Sequence, residues 1–265
     1  MLARLTATQV IREAAAGRTK PLIVSCHNED ARPIELFCKV SEGCEEGVVG
    51  LAMEVVAACI AIRLQLPVPN PSLVDLPPRL SDVVQDERIR RRIVASSSVA
   101  FGSMYLPKRF VAWHKGSRVS SEMTHVALAA FVFDAVIDNA DRTPSNPNCL
   151  HSGQEIRLID HELAFPRNLV GNQPSPWKEG GLRWLLGQDR HIFWKELRRH
   201  AQRLDFGRIS GLWGTLSDEC LERIRRAVPA EWDEACPAVD MALDRIRQAR
   251  ANMSGVISEV RRVLK

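Results

Sequence analysis

The stretch Asp138–Phe165, DNADRTPSNPNCLHSGQEIRLIDHELAF, decides how the rest of the chain is read. Two short strand-like runs, Asn148–His151 and Glu155–Asp160, flank Ser152-Gly153-Gln154. A glycine opening a two-residue loop suits a type II′ turn, whose twist matches that of antiparallel strands. With Gly153 and Gln154 as the loop, Ser152 pairs with Glu155 and Leu150 with Arg157. Continued, this register sets Asn146 beside His161 and Asp160 beside Pro147. An amide oxygen and a carboxylate are thereby gathered, hard ligands of the kind Mg²⁺ takes together with water and phosphate. Asp141 lies five residues before Asn146. DRTPSNPN is also full of turn formers, so this pair alone reads equally well as a turn. The signal is in the order of parts: apolar helix, Asp-x₄-Asn, tight hairpin, then Asp at a strand end.

The helix that feeds this stretch is expected over Glu122–Ile137, capped by Ser120 or Ser121. Its Asp134 and Asp138 read as anchors for the loop backbone around Arg142, rather than as an extension of an acidic site. A second apolar helix begins between Gly47 and Gly50 and runs to about Gln65. Within Val48–Ile62, VVGLAMEVVAACIAI, Glu54 is the only charged side chain. A helix apolar on nearly every side is buried on nearly every side, and a carboxylate in its middle needs a partner. Lys39, at the end of an upstream strand, is the expected one; Arg63 or water is the alternative. A strand lysine paired with a helix glutamate steadies nucleotide phosphates in kinases, and Asp-x₄-Asn is the spacing of their catalytic loop.

Around these parts the chain divides into recognisable segments. Thr6–Ala16 reads as a short helix stopped by Gly17. Pro21–Cys26 and Pro33–Val40 read as strands joined by a polar turn from His27 to Arg32. LPVPNP, residues 66–71, ends the Glu54 helix. Ser72–Leu76 and Val99–Leu106 read as strands, with a polar helix over Leu80–Ile93 between them. That helix carries Arg88, Arg90, Arg91 and Arg92, a phosphate patch or, more commonly, a solvated face answered by Asp82, Asp86 and Glu87. Beyond Phe165, PRNLVGNQPSPWKEGG suggests an ordered surface segment or lid. From Leu182 onward helical spacing recurs, with Trp184, Trp194, Trp213 and Trp232 as core anchors.

Composition sets bounds on this reading. The 265 residues are 45% hydrophobic, enough for one large domain or two small lobes. A net charge of +4 permits an anionic ligand without specifying one. The seven cysteines include no Cys-x₂-Cys pair and several sit in apolar runs, which points to buried reduced thiols and a cytoplasmic location. No signal peptide or transmembrane run is expected, because Glu54, His125 and Asp134 interrupt the most apolar stretches.

DNADRTPSNPN followed by LIDHELAFP resembles the HipA-like kinases, within the wider group that includes phosphatidylinositol 3- and 4-kinases. Phe37–Pro77 and FGSMYLP, residues 101–107, are similar to the first half of the same group, so the resemblance spans roughly Gly17 to Pro166. It implies a two-lobed α+β kinase: an antiparallel β lobe with one buried helix over 1–107, and a mainly helical catalytic lobe over 108–265. It implies ATP and Mg²⁺ as cofactors, with Lys39 on the phosphates, Glu54 bracing it, and adenine near Met104 and Tyr105. Asp141 would be the catalytic residue, and Asn146 and Asp160 the metal ligands. Two departures are visible. Where the family often has Asp-Arg-His, this chain has Asp141-Arg142-Thr143. No glycine-rich loop precedes Lys39, and GRTKP, residues 17–21, is the nearest match to the family's phosphate-facing turn.

The expected reaction is transfer of the γ-phosphoryl group of ATP to a protein serine or threonine. Several family members are toxins paired with an antitoxin, so an antitoxin or regulatory protein is a partner the resemblance implies. Three other readings compete. A lipid kinase would share LIDHELAFP, a pseudokinase would explain the missing glycine-rich loop, and a nucleic-acid-binding module would use the arginines. Interleaving of those arginines with acids argues against the last.

Overall fold

A computed structural model describes residues 2–15, 17–27, 33–114, 116–166 and 174–265. The chain is a mixed α+β protein in which a small β-barrel leads into a helical assembly. The barrel strands are β1 (Ala3–Glu13), β2 (Leu22–His27), β3 (Pro33–Lys39), β4 (Pro71–Asp75) and β5 (Val99–Met104), closed in the order β1-β2-β3-β5-β4.

Two expectations are corrected here. Thr6–Ala16 is not a helix: residues 3–13 form β1. Its Thr6, Thr8, Val10 and Ile11 are β-branched and favour a strand, but register shifts between Ala7 and Gln9 and between Val10 and Arg12 interrupt the alternation. The sheet is also not antiparallel throughout, since β1 runs parallel to β4, from Ala3 beside Ser72 to Thr6 beside Asp75. That pairing closes the barrel and removes the free edges. Residues 28–32 of the turn expected over His27–Arg32, and residues 167–173 of the expected lid segment, lie outside the described residues.

Strand periodicity sorts the side chains. On β3, Leu36 and Cys38 point into the barrel core with Leu22, Val24, Val74 and Ala100, whereas Phe37 and Lys39 face the other way. Gly102 on β5 permits this narrow interior: a Cβ there would stand 2.6 Å from Val74 Cγ2. The expected polar helix is two, α2 (Pro78–Val83) and α3 (Glu87–Val94), and Asp86 caps the second by accepting from the N–H groups of Arg88 and Ile89.

Helix α1, placed after the helical turn Ser41–Gly43, spans Val48–Arg63. It packs on β4 and β5 on one side and on the C-terminal helices on the other, which is why it is apolar all round. Helix α4 spans Thr124–Ile137, two residues shorter at its start than expected. Neither Ser120 nor Ser121 caps it through its side chain; the Ser120 carbonyl instead accepts from the Thr124 hydroxyl at 2.9 Å. A small sheet follows, β6 (Val111–Ala112), β7 (Cys149–Ser152) and β8 (Glu155–Leu158).

The helical spacing expected from Leu182 onward is interrupted at first: residues 182–204 hold a helical turn at Arg183–Leu185, the short α5 (Trp194–Arg199) and another turn at Ala201–Arg203. Then come α6 (Phe206–Gly214), α7 (Asp218–Arg225), α8 (Cys236–Ala251) and α9 (Met253–Val263), the last two separated at Asn252. Trp213 and Trp232 are fully buried, and the Trp232 indole donates to the Val99 carbonyl at 3.1 Å, tying the helices to β5. All seven cysteines are free thiols, five of them buried. Among the described residues no helix is long and apolar enough to cross a membrane.

Candidate active site

The β7–β8 hairpin forms in the register read from the sequence, Ser152 opposite Glu155 and Leu150 opposite Arg157. Gly153 takes φ 57° and Gln154 keeps a negative φ, as a type II′ loop requires. The hairpin carries Asn146 and Asp160 back toward each other at its open end, where the Ile159 N–H still donates to the Asn148 carbonyl at 3.0 Å.

The loop before the hairpin is held from below. Helix α4 stops at Asp138, which adopts the left-handed conformation at φ 58°. One turn earlier, Asp134 accepts from Arg142 Nε at 2.7 Å, from Asn139 Nδ2 at 2.8 Å and from His191 Nε2 at 3.1 Å. His191 Nδ1 accepts from the Phe193 N–H, so the ring's proton is on Nε2. Burial alone would push the Asp134 pKa up; the Arg142 charge and the His191 hydrogen bond outweigh it and hold the carboxyl well below the usual range. Burial keeps His191 below its ordinary pKa, hence neutral. Arg142 also donates to the carbonyls of Asn148 and Ile159, fastening the loop to both hairpin strands.

On this base Asp141 projects at the loop tip. Its Oδ2 accepts from Asn146 Nδ2 and from Asn148 Nδ2, each at 2.9 Å. The first bond brings two expected site residues together; the second residue, Asn148, escaped the sequence reading. Because Asn146 donates through its nitrogen, its Oδ1 is the atom left to ligate.

Across the cleft the Lys39 side chain is largely buried at the end of β3. Its Nζ donates to Glu54 Oε1 at 2.6 Å, Asp160 Oδ1 at 2.6 Å and Glu162 Oε2 at 2.9 Å, occupying all three of its N–H donors. Burial works against the ammonium charge, but the three carboxylates raise its pKa well above the usual lysine value. Burial likewise opposes the Glu54 charge, and Lys39 and His161 reverse this, holding it well below the ordinary carboxylate range. Glu162 goes the other way: burial, only partly offset by Lys39, pushes its pKa up. Glu162 was also missed. Its signal was available in LIDHELAF, where a second carboxylate two residues after Asp160 stands in an apolar run.

These groups open onto one cavity of about 720 Å³, lined by Lys39, Glu54, Asp141, Asn146, Asp160 and Glu162. The rest of its lining includes the apolar side chains of Phe37, Ala58, Val68, Phe101 and Leu158. Met104 lines it, as does Leu106. Tyr105 does not: its ring stacks on Phe37 at 5.0 Å, and its N–H donates to the Glu35 carbonyl at 3.1 Å. The β1–β2 turn contributes Gly17, Arg18 and Thr19.

The donor set fits a hard divalent cation. Carboxylate oxygens of Glu54, Asp160 and Glu162 all lie within 4.8 Å of one another, and a single ammonium leaves their charge in excess. Asp160 has 31% of its side chain exposed, against 3% for Glu54, so Asp160 is the carboxylate a cation reaches from the cleft.

A β-barrel lysine braced by a helix glutamate, facing an Asp–Asn loop across one cleft, is the arrangement of a kinase. Residues 7–177 match the family model for HipA-like kinase, and the chain belongs to that family. Membership implies ATP binding. A search of curated proteins found no match. Among solved structures, the chain is similar to a Helicobacter pylori proinflammatory kinase, CtkA, at 12% identity and a TM-score of 0.41, over 94% of this chain and 99% of that one.

Proposed function

We propose that this chain is an ATP- and Mg²⁺-dependent kinase that phosphorylates protein serine or threonine, with an ATP-binding lobe over 1–107 and a catalytic lobe over 108–265. The observation that carries this reading is Lys39, ion-paired at once to Glu54 and Asp160 on the wall of the cleft that Asp141 and Asn146 line. The adenine ring is assigned to the apolar lining near Met104 and Leu106, with the phosphates toward Lys39 and the Gly17–Thr19 turn; this is supported by all of these residues lining the one cleft. Asn146 Oδ1 and Asp160 would hold Mg²⁺, which when bound supplies charge neutralisation at the β- and γ-phosphates. Lys39 orients the phosphate chain and offsets its charge, while Glu54 keeps the ammonium from swinging away. Asp141 receives or directs the proton of the acceptor hydroxyl as the oxygen–phosphorus bond forms and the bond to the β-phosphate oxygen breaks. Its amide partners Asn146 and Asn148 fix the carboxylate's orientation. Serine or threonine as acceptor is supported by the family's usual protein substrates.

The test is incubation with labelled ATP and Mg²⁺, alone and with cell extract, comparing the protein with Asp141→Asn. Label on serine or threonine with the parent, and about a hundredfold less with the variant, is the expected result. Equal label in both would remove Asp141 from the mechanism. Label in lipid and none in protein would move the acceptor to a lipid hydroxyl.

A further inference from the structure

Helix α3 carries four arginines, and one of them behaves unlike the rest. Arg90 and Arg91 reach Glu87 on their own helix, and Arg88 reaches Glu13; all three are well exposed. Arg92 has only 12% of its side chain exposed. Its Nε donates to Glu42 at 3.2 Å and its Nη1 to Glu13 at 2.8 Å. Its Nη1 also donates to the Lys20 carbonyl at 3.2 Å, and its Nη2 to the Thr19 carbonyl at 3.0 Å. Four of the five N–H groups of a guanidinium are thereby used.

Both carbonyls belong to the β1–β2 turn, the segment that lines the cleft through Gly17, Arg18 and Thr19. This turn is conformationally demanding, since Gly17 has φ 104° and Lys20, a residue with a Cβ, has φ 44°. Arg92 itself is not part of the cleft lining. It therefore takes the turn's carbonyl oxygens from outside the cleft. A second observation shows that the contact is built in. At Gly43 a Cβ would stand 2.7 Å from Arg92 Nη2 and 2.8 Å from the Thr19 carbonyl, so the guanidinium and the turn fit only against a glycine.

We propose that Arg92 is a positioning residue for the phosphate end of the nucleotide, holding the β1–β2 turn in the shape that a glycine-rich loop would otherwise supply. The proposal rests on the reading of the cleft as an ATP site and deepens it. Arg92 touches no nucleotide; it acts by keeping the turn's N–H edge, with Arg18 and Thr19, toward the phosphates and its carbonyls away from them.

The experiment measures dissociation constants for ATP with Mg²⁺ and for adenosine, by calorimetry, with melting temperatures in parallel. The variants are Arg92→Lys, which keeps the charge but cannot bridge two acids and two carbonyls, and Gly43→Ala, which leaves the arginine in place but crowds it. Both should weaken ATP by about tenfold, the scale of one charge-assisted contact, and leave adenosine within about twofold. Lys39→Met serves as the control that must lose ATP affinity. Weakening of ATP and adenosine alike, or of neither, overturns the role of Arg92. If that happens while the parent binds ATP and Lys39→Met does not, the ATP site stands without this device. If the parent binds ATP no more tightly than adenosine, the phosphate site itself fails and the proposal with it.

Discussion

Asp134, in the last turn of α4, and Glu54, in the middle of α1, are both carboxylates in apolar helices, yet they are neutralised in different ways. Around Asp134 the charges close: one carboxylate, one guanidinium and one neutral imidazole, all with side chains 0% exposed. Around Glu54 they do not: three carboxylates share one ammonium, and all three line the cleft, Asp160 with 31% of its side chain exposed. A closed set can hold a loop in place but has no use for a further cation. An open set is short of positive charge and can accept one. The two are neighbours, since Arg142 Nη2 donates to His161 Nε2 at 3.0 Å and the other ring nitrogen of His161 lies 3.7 Å from Glu54. One polar chain thus connects the anchor of the Asp141 loop to the brace of Lys39.

The largest effect is expected on the closed side. Arg142→Met leaves Asp134 buried without its counter-charge and unties both hairpin strands, a loss of about 3–5 kcal/mol in denaturant unfolding. In the parent protein, Asp134 is depressed below the usual range, so its contribution is present above the unfolded carboxylate value of about 3.9 and is lost as pH falls through the folded value. In the variant the sign reverses: the uncompensated carboxyl takes up a proton on folding, and the deficit shrinks as pH is lowered. Added Mg²⁺ should restore nothing, because the site is sealed from solvent.

Lys39→Met probes the open side and should cost less, on the order of 2 kcal/mol, because water reaches Asp160 and relieves part of the repulsion. Here millimolar Mg²⁺ should recover much of the lost melting temperature by taking the place of the ammonium among Glu54, Asp160 and Glu162. Equal Mg²⁺ responses in the two variants would erase the distinction between a closed and an open set. Nucleotide affinity should still be lost, since a cation in that position cannot orient the phosphate chain as the lysine does.

The same contrast explains what could be read from the chain alone. Glu54 and Lys39 announced themselves because a charge inside an apolar helix demands a partner, and Asn146 and Asp160 because a two-residue loop dictates its own register. Those are local constraints. The parallel β1–β4 pairing is set by barrel closure between residues about seventy apart in sequence, and nothing near Ala3 or Ser72 encodes it. β1 was hidden by its two register shifts, which break the period-2 signal between Ala7 and Gln9 and between Val10 and Arg12. Glu162 and Asn148 were legible only as further polar residues near known ones; what makes them part of the site is direction, and direction is decided by the left-handed backbone at Asn148 and Asp160, φ 42° and 61°.

The smallest effect concerns the hairpin that joins the two sides. Gly153 has φ 57°, and a Cβ there would meet nothing within 4 Å. Gly153→Ala therefore incurs backbone strain alone, about 1 kcal/mol in unfolding free energy. The register should survive, because cross-strand pairs such as Leu150 with Arg157 and the Ile159 N–H bond to the Asn148 carbonyl hold it independently of the loop. Asp160 would then stay within reach of Lys39, and Gly153→Ala combined with Lys39→Met should keep the recovery by Mg²⁺ expected of Lys39→Met alone. A loss of that response at so small a cost in stability would mean that the turn sets the open site as well as the strand register, and that the two sides are less separable than their charges suggest.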